Sequence, residues 1–301
     1  MSREAGGAGA RLVLATRRSP LALAQSRAVA AILSDAGYMV ELLELVTSGD
    51  RWSAEAAPGA PAPDKGLFVK ELEVALLDGR ADVAVHSAKD LPADLPPGLG
   101  VVATPPREDP GDVLVGAARI EDLAPGARVG TGSPRRAAQL RSARGDLDVA
   151  EIRGNVGTRL ARWEAGEFDA IVLARAGLAR LGLDPAPAGT LPGAVMVPAP
   201  GQGVLAIEAR SDHPLAPGMR DALDDPATAA CLRAERSALR ALGGGCRAPV
   251  GALAQIADGV LRLRGFRADD EAGAGARRAQ VAGPPGDAEA LGERLARELA
   301  A

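Results

Sequence analysis

The 301-residue chain is predicted to be an α/β protein built from two similar domains and a smaller third part. Three observations carry this. Short apolar runs alternate with amphipathic segments, the pattern of strands linked by helices in a sheet with parallel neighbours. A Ser-Pro helix start follows a strand twice, at Ser19-Pro20 and at Ser133-Pro134. From about residue 223 the pattern changes to a long helix, a glycine turn, two strands and a last helix.

Arg11 to Ala15 reads as a buried strand. Ser19 then caps a helix, with Pro20 at the first helical position, where its missing N–H is one of the orphans anyway. Apolar spacing through Leu21, Ala24, Ala28 and Ile32 sustains the helix, and Gly37 closes it. Val40 to Val46 is the next strand, completing a β-α-β unit. Ser48 to Asp64, rich in Gly, Pro and Ala, reads as a long mobile loop. Ala81 to Val85 is a short strand ending at "HSAKD" (86–90).

The second region repeats the theme. Val129-Gly130 runs into "TGSPRR" (131–136) and a helix through Gln139, Leu140 and Arg141. Aligned on Ser-Pro, both helices place Gln six residues after the Ser (Gln25, Gln139) and Arg eight after it (Arg27, Arg141). Val149 to Arg153 and Phe168 to Ala174 are further strands, with a helix over Thr158 to Ala165 between them. Pro105-Pro106 and Pro198-Ala199-Pro200 read as hinge segments bracketing this region. In the third part a helix spans about Ala227 to Leu242. Strands follow near Val250 to Ala254 and Val260 to Phe266, and a final helix near Ala288 to Leu299. Asp269 to Pro285 is poor in apolar residues and reads as a loop. The expected division is therefore 1–104 with 199–222, then 105–198, then 223–301.

Composition narrows the function classes. A hydrophobic fraction of 47% with 25% charged residues supplies material for a core. A net charge of −4 argues against general nucleic-acid binding, which needs a basic surface. No apolar run approaches the roughly 20 residues of a membrane span, and residues 1–10 lack the apolar stretch of a signal peptide. No membrane partner and a cytoplasmic location are the expectations. Two cysteines, Cys231 and Cys246, without CxxC spacing, and two histidines give no reason to expect a metal site.

Arginines gather at helix starts: Arg17 and Arg18 before Ser19, Arg135 and Arg136 after Ser133, and Arg153 and Arg159 around "RGNVGTR" (153–159). Positive charge there opposes the helix dipole, so helix propensity did not select it. Free amides and guanidinium forks together suit carboxylates or phosphates. The plainer reading is solvated arginines in an arginine-rich chain, whose only lysines are Lys65, Lys70 and Lys89. "VHSAKDLP" (85–92) sets His86, Ser87, Lys89 and Asp90 just past a strand, where open α/β sheets bind ligands. Asp90 and Lys89 read either as a surface ion pair or as groups that move a proton or face a developing cation. Cys231, mid-helix among Ala and Leu, reads as a buried structural thiol. Cys246 follows Gly243 to Gly245, with room for something bulky beside it and Arg236 and Arg247 to favour its thiolate. A covalent role and an inert one both stand.

Eight segments in order resemble the porphobilinogen deaminases (hydroxymethylbilane synthases), covering about residues 11–266. They are "ATRRSPLALAQ" (15–25), "DKGLFVKELE" (64–73), "DVAVHSAKDLP" (82–92), "GTGSPRRAAQL" (130–140), "IRGNVGTRL" (152–160), "FDAIVLARAGLARLGL" (168–183), "PAPGQG" (198–203) and "ERSALRALGGGC" (235–246). The resemblance implies two domains like periplasmic binding proteins with mixed sheets, plus a small α/β domain carrying the cofactor cysteine. Cys246 would hold a dipyrromethane cofactor through a thioether. Four porphobilinogen molecules would add to that primer, each losing ammonia, before hydrolysis releases hydroxymethylbilane.

By matching position, Arg17, Ser19, Lys89, Arg135, Arg136, Arg153, Arg159 and Arg236 would hold cofactor and substrate carboxylates. Ser87, Thr131 and Ser133 would add hydroxyl or amide contacts. Lys65 and Phe68 would border the elongation site, and Gln202 would lie at the crossing between domains. Asp90 would be the catalytic carboxylate, contacting pyrrole N–H groups, assisting loss of ammonia and stabilising the cationic azafulvene. A monomer is the family expectation. Two departures stand out: Pro61-Ala62-Pro63-Asp64, where the family often has glycine, and Pro200 before Gly201. The rival from another class is a non-catalytic two-domain protein binding a small dicarboxylate, which leaves Cys246 and the third part without a purpose.

Overall fold

The computed structural model describes residues 9–55, 65–243 and 249–301. In chain order the first strands and helices are β1 (Arg11–Arg17), α1 (Pro20–Asp35), β2 (Met39–Leu45), α2 (Ser48–Glu55), α3 (Lys70–Leu77), β3 (Val83–Ser87) and β4 (Leu99–Ala103). Then come β5 (Asp112–Val115), β6 (Arg128–Gly130), α4 (Pro134–Ala143), β7 (Asp148–Ala150), α5 (Val156–Glu164), β8 (Ala170–Ala174), α6 (Arg175–Arg180) and β9 (Ala188–Thr190). The chain continues with β10 (Leu205–Arg210), α7 (Ala216–Leu223), α8 (Pro226–Ala241), β11 (Val250–Ala257), β12 (Val260–Arg267), β13 (Arg277–Gly283) and α9 (Ala288–Ala300). They form two compact units, 1–107 with 204–229, and 108–203 with 230–301.

In the first unit the sheet order is β2-β1-β3-β10-β4, with β1 parallel to β2 and β3, and β10 antiparallel to β3 and β4. Side chains alternate across it. Leu12, Leu14, Val83 and Ile207 pack with Val29 and Leu33 of α1 and Met219 of α7. On the opposite face Ala15 and Ala84 pack with Leu72, Ala75 and Leu76 of α3. Gly37, at φ +93°, turns the chain out of α1 in a conformation costly for a residue with Cβ.

The second unit holds a sheet of the same design, order β7-β6-β8-β5-β9, with β6 parallel to β7 and β8, and β5 antiparallel to β8 and β9. Thus β6 takes the place of β1, and β5 that of β10. Leu140 of α4 packs on Val129 and Val172. Leu160 of α5 and Leu178 of α6 pack with Ile171 and Leu173 on the other face. The third sheet is the antiparallel meander β11-β12-β13. One face buries Leu261 and Leu263 under Ala234 and Ala238 of α8 and Leu291, Leu295 and Leu299 of α9. The other sets Phe266 and Leu253 against Ala138 and Val197. The α/β expectation of two similar mixed-sheet regions plus a small third sheet holds.

Local expectations are corrected in three places. Ser48–Glu55 is the helix α2, so the first half of the expected loop is ordered, while residues 56–64 lie outside the described ones. Arg277–Gly283 is a strand within the stretch expected to be a loop; only Val281 of it is fully buried, so apolar content gave no signal. The helix expected from Thr158 begins at Val156, because Asn155 caps it by accepting from the Thr158 amide at 2.8 Å.

Candidate active site

In the first unit, β1 ends at Arg17 and β3 at Ser87, side by side in parallel strands, followed by the 3₁₀ turn Ala88–Asp90. Helix α1 starts beside them, with the Ser19 hydroxyl accepting from the Ala22 amide at 3.3 Å. Together these ends form a pocket lined by Arg17, Ser19, Gln25, Phe68, His86, Ser87 and Asp90, among others. Arg17 meets two partners. Its Nη2 donates to Asp50 Oδ1 at 2.5 Å, and its guanidinium lies 4.6 Å from the centre of the Phe68 ring. Asp50 itself, in the first turn of α2, accepts from the Thr47 hydroxyl at 2.7 Å. Burial works against its charge, but the hydrogen bonds from Arg17 and Thr47 and the Arg17 charge prevail, holding it below the usual carboxylate range. Gln25 Nε2 donates to the Ser87 hydroxyl at 2.9 Å, tying α1 to the end of β3.

The second unit treats its arginines differently. Ser133 caps α4 by accepting from the Arg136 amide at 3.5 Å, and Thr131 Oγ1 accepts from the Ser133 amide at 3.2 Å. Arg135 and Arg136, the next residues of the first turn, fold back onto the sheet and are each 5% exposed. Asp112, which opens β5, sits between them. Arg135 Nη1 donates to one of its oxygens at 2.9 Å, and Arg136 Nη2 to the other at 2.6 Å. Carbonyls of Val197 and Val172 accept from the same guanidinium groups at 2.6 and 2.9 Å. Burial opposes the Asp112 charge, yet the two guanidinium groups, with hydrogen bonds from Arg135 and Gln202, hold the carboxyl far below its ordinary range. Burial lowers Arg135 despite that counter-charge.

Gln202 reaches the same carboxylate, donating from Nε2 to Asp112 Oδ1 at 2.9 Å and to the Pro110 carbonyl at 2.7 Å. Its neighbours Gly201 and Gly203 are at φ +74° and +84°, and a Cβ on Gly203 would come within 2.3 Å of the Glu108 carbonyl oxygen. Glycine is required there by contact as well as by conformation. Arg153 pairs with Glu151 at 2.6 Å, and Arg159 Nε donates to the Gly154 carbonyl at 2.8 Å.

Of the residues singled out in the sequence, Arg17, Ser19, Phe68, Ser87 and Asp90 meet in one pocket. Lys89 lies in the turn beside it, and Lys65 in the 3₁₀ turn before α3. Thr131, Ser133, Arg135, Arg136, Arg153, Arg159 and Gln202 belong to the second unit, and Arg236 lies on α8. Cys246 lies outside the described residues, while Cys231 is buried in the α8 core. Asp50, Asp112 and Glu235 went unnoticed. Glu235, fully buried, accepts from the amides of Gly201 and Ala254 at 2.6 and 2.7 Å. The available signal was a carboxylate opening or interrupting an apolar run, as in "GDVLV" (111–115).

Two mixed α/β sheets of one design, each followed by a Ser-capped helix start with arginine beside it, define a two-fold α/β protein with a third, smaller sheet. Comparisons with known proteins make this specific. Residues 12–216 match the porphobilinogen deaminase dipyrromethane cofactor binding domain, and residues 229–301 match the porphobilinogen deaminase C-terminal domain. The porphobilinogen deaminase of Acidothermus cellulolyticus is 47% identical over 294 residues, covering 96% of this chain and 88% of that protein. The chain belongs to the porphobilinogen deaminase family. Its activity is that of a transferase that condenses porphobilinogen on a dipyrromethane cofactor to give hydroxymethylbilane, in tetrapyrrole biosynthesis.

Among solved structures, the methionine binding protein MetQ is similar at 15% identity, covering 69% of this chain and 86% of that one, with a TM-score of 0.44. A nutrient binding protein from Burkholderia cenocepacia, bound to methionine, is similar at 13% identity over 69% and 89% of the two chains, with a TM-score of 0.40.

The residues present suit a dipyrromethane, whose side arms are carboxylates and whose rings present N–H donors. Arg135 Nε is buried with no hydrogen-bond partner among the described residues, a donor that a ligand carboxylate would satisfy. Asp90 offers an acceptor to an N–H group in a pocket that also holds a guanidinium.

Proposed function

We propose that the first-unit pocket is where porphobilinogen loses ammonia, that Asp90 is the catalytic carboxylate, and that Cys246 anchors the dipyrromethane. The observation that carries this reading is the convergence of Asp90 with Arg17 and the α1 start in one pocket. Arg17 and Ser19 take substrate carboxylates, with Phe68 stacked on the guanidinium. Lys65, Ser87 and Lys89 border the same place. Thr131, Ser133, Arg135, Arg136, Arg153, Arg159 and Arg236 hold carboxylates of the cofactor and the growing chain, and Gln202 keeps Asp112 on the arginine pair. When bound, the dipyrromethane supplies the pyrrole carbon to which porphobilinogen is joined.

Asp90 does what the arginines cannot. Porphobilinogen enters with its aminomethyl group as an ammonium. The C–N bond breaks with both electrons leaving on nitrogen as ammonia, and the pyrrole keeps a delocalised positive charge. Guanidinium groups repel that cation, whereas the Asp90 carboxylate stabilises it increasingly as the charge forms. Each condensation also releases one proton, and Asp90 is its acceptor.

The remaining parts of the reading are a monomer in the cytoplasm without nucleic-acid or membrane partners, divided at 1–104 with 199–222, 105–198 and 223–301. Among the described residues no helix is long and apolar enough to cross a membrane. The dicarboxylate-binding alternative is not favoured, because the chain matches a cofactor-binding catalytic family over most of its length.

Intact mass under denaturing conditions tests the anchor. The expected result is an adduct of two linked pyrroles on the peptide containing Cys246 and none on that of Cys231. Active protein without an adduct at Cys246 removes the primer assignment. Cys246→Ala is expected to give inactive apo-protein of lower stability, since the ligand no longer favours the folded state.

A further inference from the structure

Three titratable side chains lie buried together on the α3 face of the first sheet, and the proposed reaction uses none of them. Glu208, in β10, is 0% exposed; His86, in the neighbouring β3, is 4% exposed; and Glu73 comes down from α3, 8% exposed. The register puts Glu208 opposite Ala84, one step diagonally from His86 on the same face. His86 Nε2 is 3.0 Å from Glu208 Oε2, an ion-pair distance without the alignment of a hydrogen bond. Both Glu208 oxygens, His86 Nε2 and Glu73 Oε1 are buried without hydrogen-bond partners among the described residues. A strand interior needs no carboxylate, and leaving several polar atoms unsatisfied in one place costs stability. Clusters of buried ionisable groups are a feature of functional sites.

Two neighbouring carboxylates in a poorly solvated place resist ionising together, and the imidazole is the only one of the three able to carry positive charge. Burial first, and the Glu208 charge second, push Glu73 up to about 7, with His86 opposing. Several surrounding charges have partners of their own, Glu71 with the Ser48 amide at 2.8 Å and Asp82 with His213 at 3.1 Å among them. Arg210 of β10 donates to the Leu76 carbonyl at 2.6 Å, and Arg17, at the end of β1, is held by Asp50. Strand β4 carries no charged residue, and the turn before α3 carries Lys65. Two carboxyls and an imidazole share one chemistry, the binding and release of a proton.

We infer that Glu73, Glu208 and His86 exchange protons as one unit, and that the two glutamates are positioning residues acting through His86 on the pocket that holds Asp90. His86 joins the two places: its side chain lines the pocket together with Ser87 and Asp90, while Nε2 faces Glu208. When Glu73 releases its proton, the unit gains a negative charge behind the pocket. A substrate bearing an acetate and a propionate then binds less well, while the chemistry at Asp90 proceeds. The consequence for binding rests on the placement of porphobilinogen in this pocket; the proton exchange does not.

The test uses holoenzyme labelled with ¹⁵N-histidine, because the chain has only two histidines to resolve. The His86 signal is assigned by its loss in His86→Asn. The expected result is that the pH response of the His86 ring nitrogen shifts between pH 6 and 8 in the unsubstituted protein is displaced or reduced in Glu73→Gln, because the group facing it no longer releases a proton. Over the same range KM is expected to rise roughly threefold to tenfold with kcat steady, again flattened in Glu73→Gln. Substrate carboxylates and ammonium do not titrate in this window, so the step belongs to the protein. A His86 response identical in the unsubstituted protein and Glu73→Gln overturns the shared-proton unit; so do flat His86 shifts in the unsubstituted protein, and that measurement stands even where Glu73→Gln fails to fold. A His86 step with a flat KM overturns its link to the pocket. Normal ammonia release by Asp90→Asn, with the His86 response intact, would instead remove the Asp90 assignment and leave the unit standing.

Discussion

The two units begin a helix from the same signal and then manage arginine in opposite ways. In the first, Arg17 precedes the Ser19 cap, so it stays on the end of β1 and reaches the pocket. In the second, Arg135 and Arg136 follow the Ser133 cap, so the first turn of α4 carries them back over the sheet. Each finds an aspartate, but Arg17 and Asp50 are both 22% exposed, whereas Arg135 and Arg136 are 6% exposed and Asp112 0%. Moving arginine from before the cap to after it converts an exchangeable pair into a fixed one. A partly exposed guanidinium can trade a protein carboxylate for a substrate carboxylate; one closed around a buried aspartate presents only what that aspartate leaves over.

The largest effect is expected where the pocket does chemistry. Asp90→Asn keeps the shape but removes the charge that faces the forming cation and the capacity to take a proton. Turnover should fall by about 10²-fold or more with the fold intact, since acid–base assistance alone contributes about 10²–10⁴-fold. Single-turnover ammonia release from preassembled holoenzyme reads this directly. Asp90→Glu should retain part of the rate, because charge survives while position shifts. Full release by the Asn variant would move the role to Lys89 or His86.

Next comes the fixed pair, whose signature is stability. Asp112→Asn leaves two buried guanidinium groups without a counter-charge, and breaking a buried pair this way costs about 3–5 kcal/mol. Urea denaturation should show it as a lower midpoint. The pH dependence has a definite sign. The Asp112 carboxyl is depressed in the folded state, so its contribution is present above the ordinary carboxylate pKa of about 3.9 and is lost as pH falls below it. The unsubstituted chain should therefore lose stability more steeply than Asp112→Asn on acidification below about pH 4. Equal slopes would mean that Asp112 is not the charge holding the arginines.

The contrast between the two strand ends was only half legible in the sequence. Both caps and most flanking strands followed from short-range rules: Ser before Pro, apolar runs of strand length, Gly37 after the last helical turn. Arg17 and "HSAKD" (86–90) were each legible as residues at a strand end, but that the two strands are parallel neighbours ending at one edge is set by the sheet order. What could not be read were the partners. Asp50 sits on a helix whose Ser, Gly, Ala and Glu content resembles a loop, and Asp112 looks like an ordinary residue opening a strand until β5 is laid beside β8. The charge of Glu208 inside "VLAIEAR" (204–210) is visible, but its neighbour His86 is set by an antiparallel ladder to a strand far back in the chain. Partners of this kind depend on topology, which local pattern leaves open.

The smallest expected effect tests the exchangeable pair. Asp50→Asn preserves shape and keeps one acceptor oxygen for Thr47, so little is lost beyond the charge on Arg17. For a pair with both members 22% exposed, solvent screens much of the attraction, and the stability cost should be at most about 1 kcal/mol. Denaturation of Asp50→Asn and Asp112→Asn in parallel thus measures how much burial alone adds to the same Arg–Asp chemistry. Function should move the other way. Without Asp50 as competitor, Arg17 remains placed by Phe68 and offers its full charge to a substrate carboxylate. KM for porphobilinogen should then fall by about twofold to fivefold, the equivalent of roughly 0.4–1 kcal/mol. An Asp50→Asn variant as unstable as Asp112→Asn, or one whose KM rises, would show that the first pair is as fixed as the second and that the order of cap and arginine does not decide the matter.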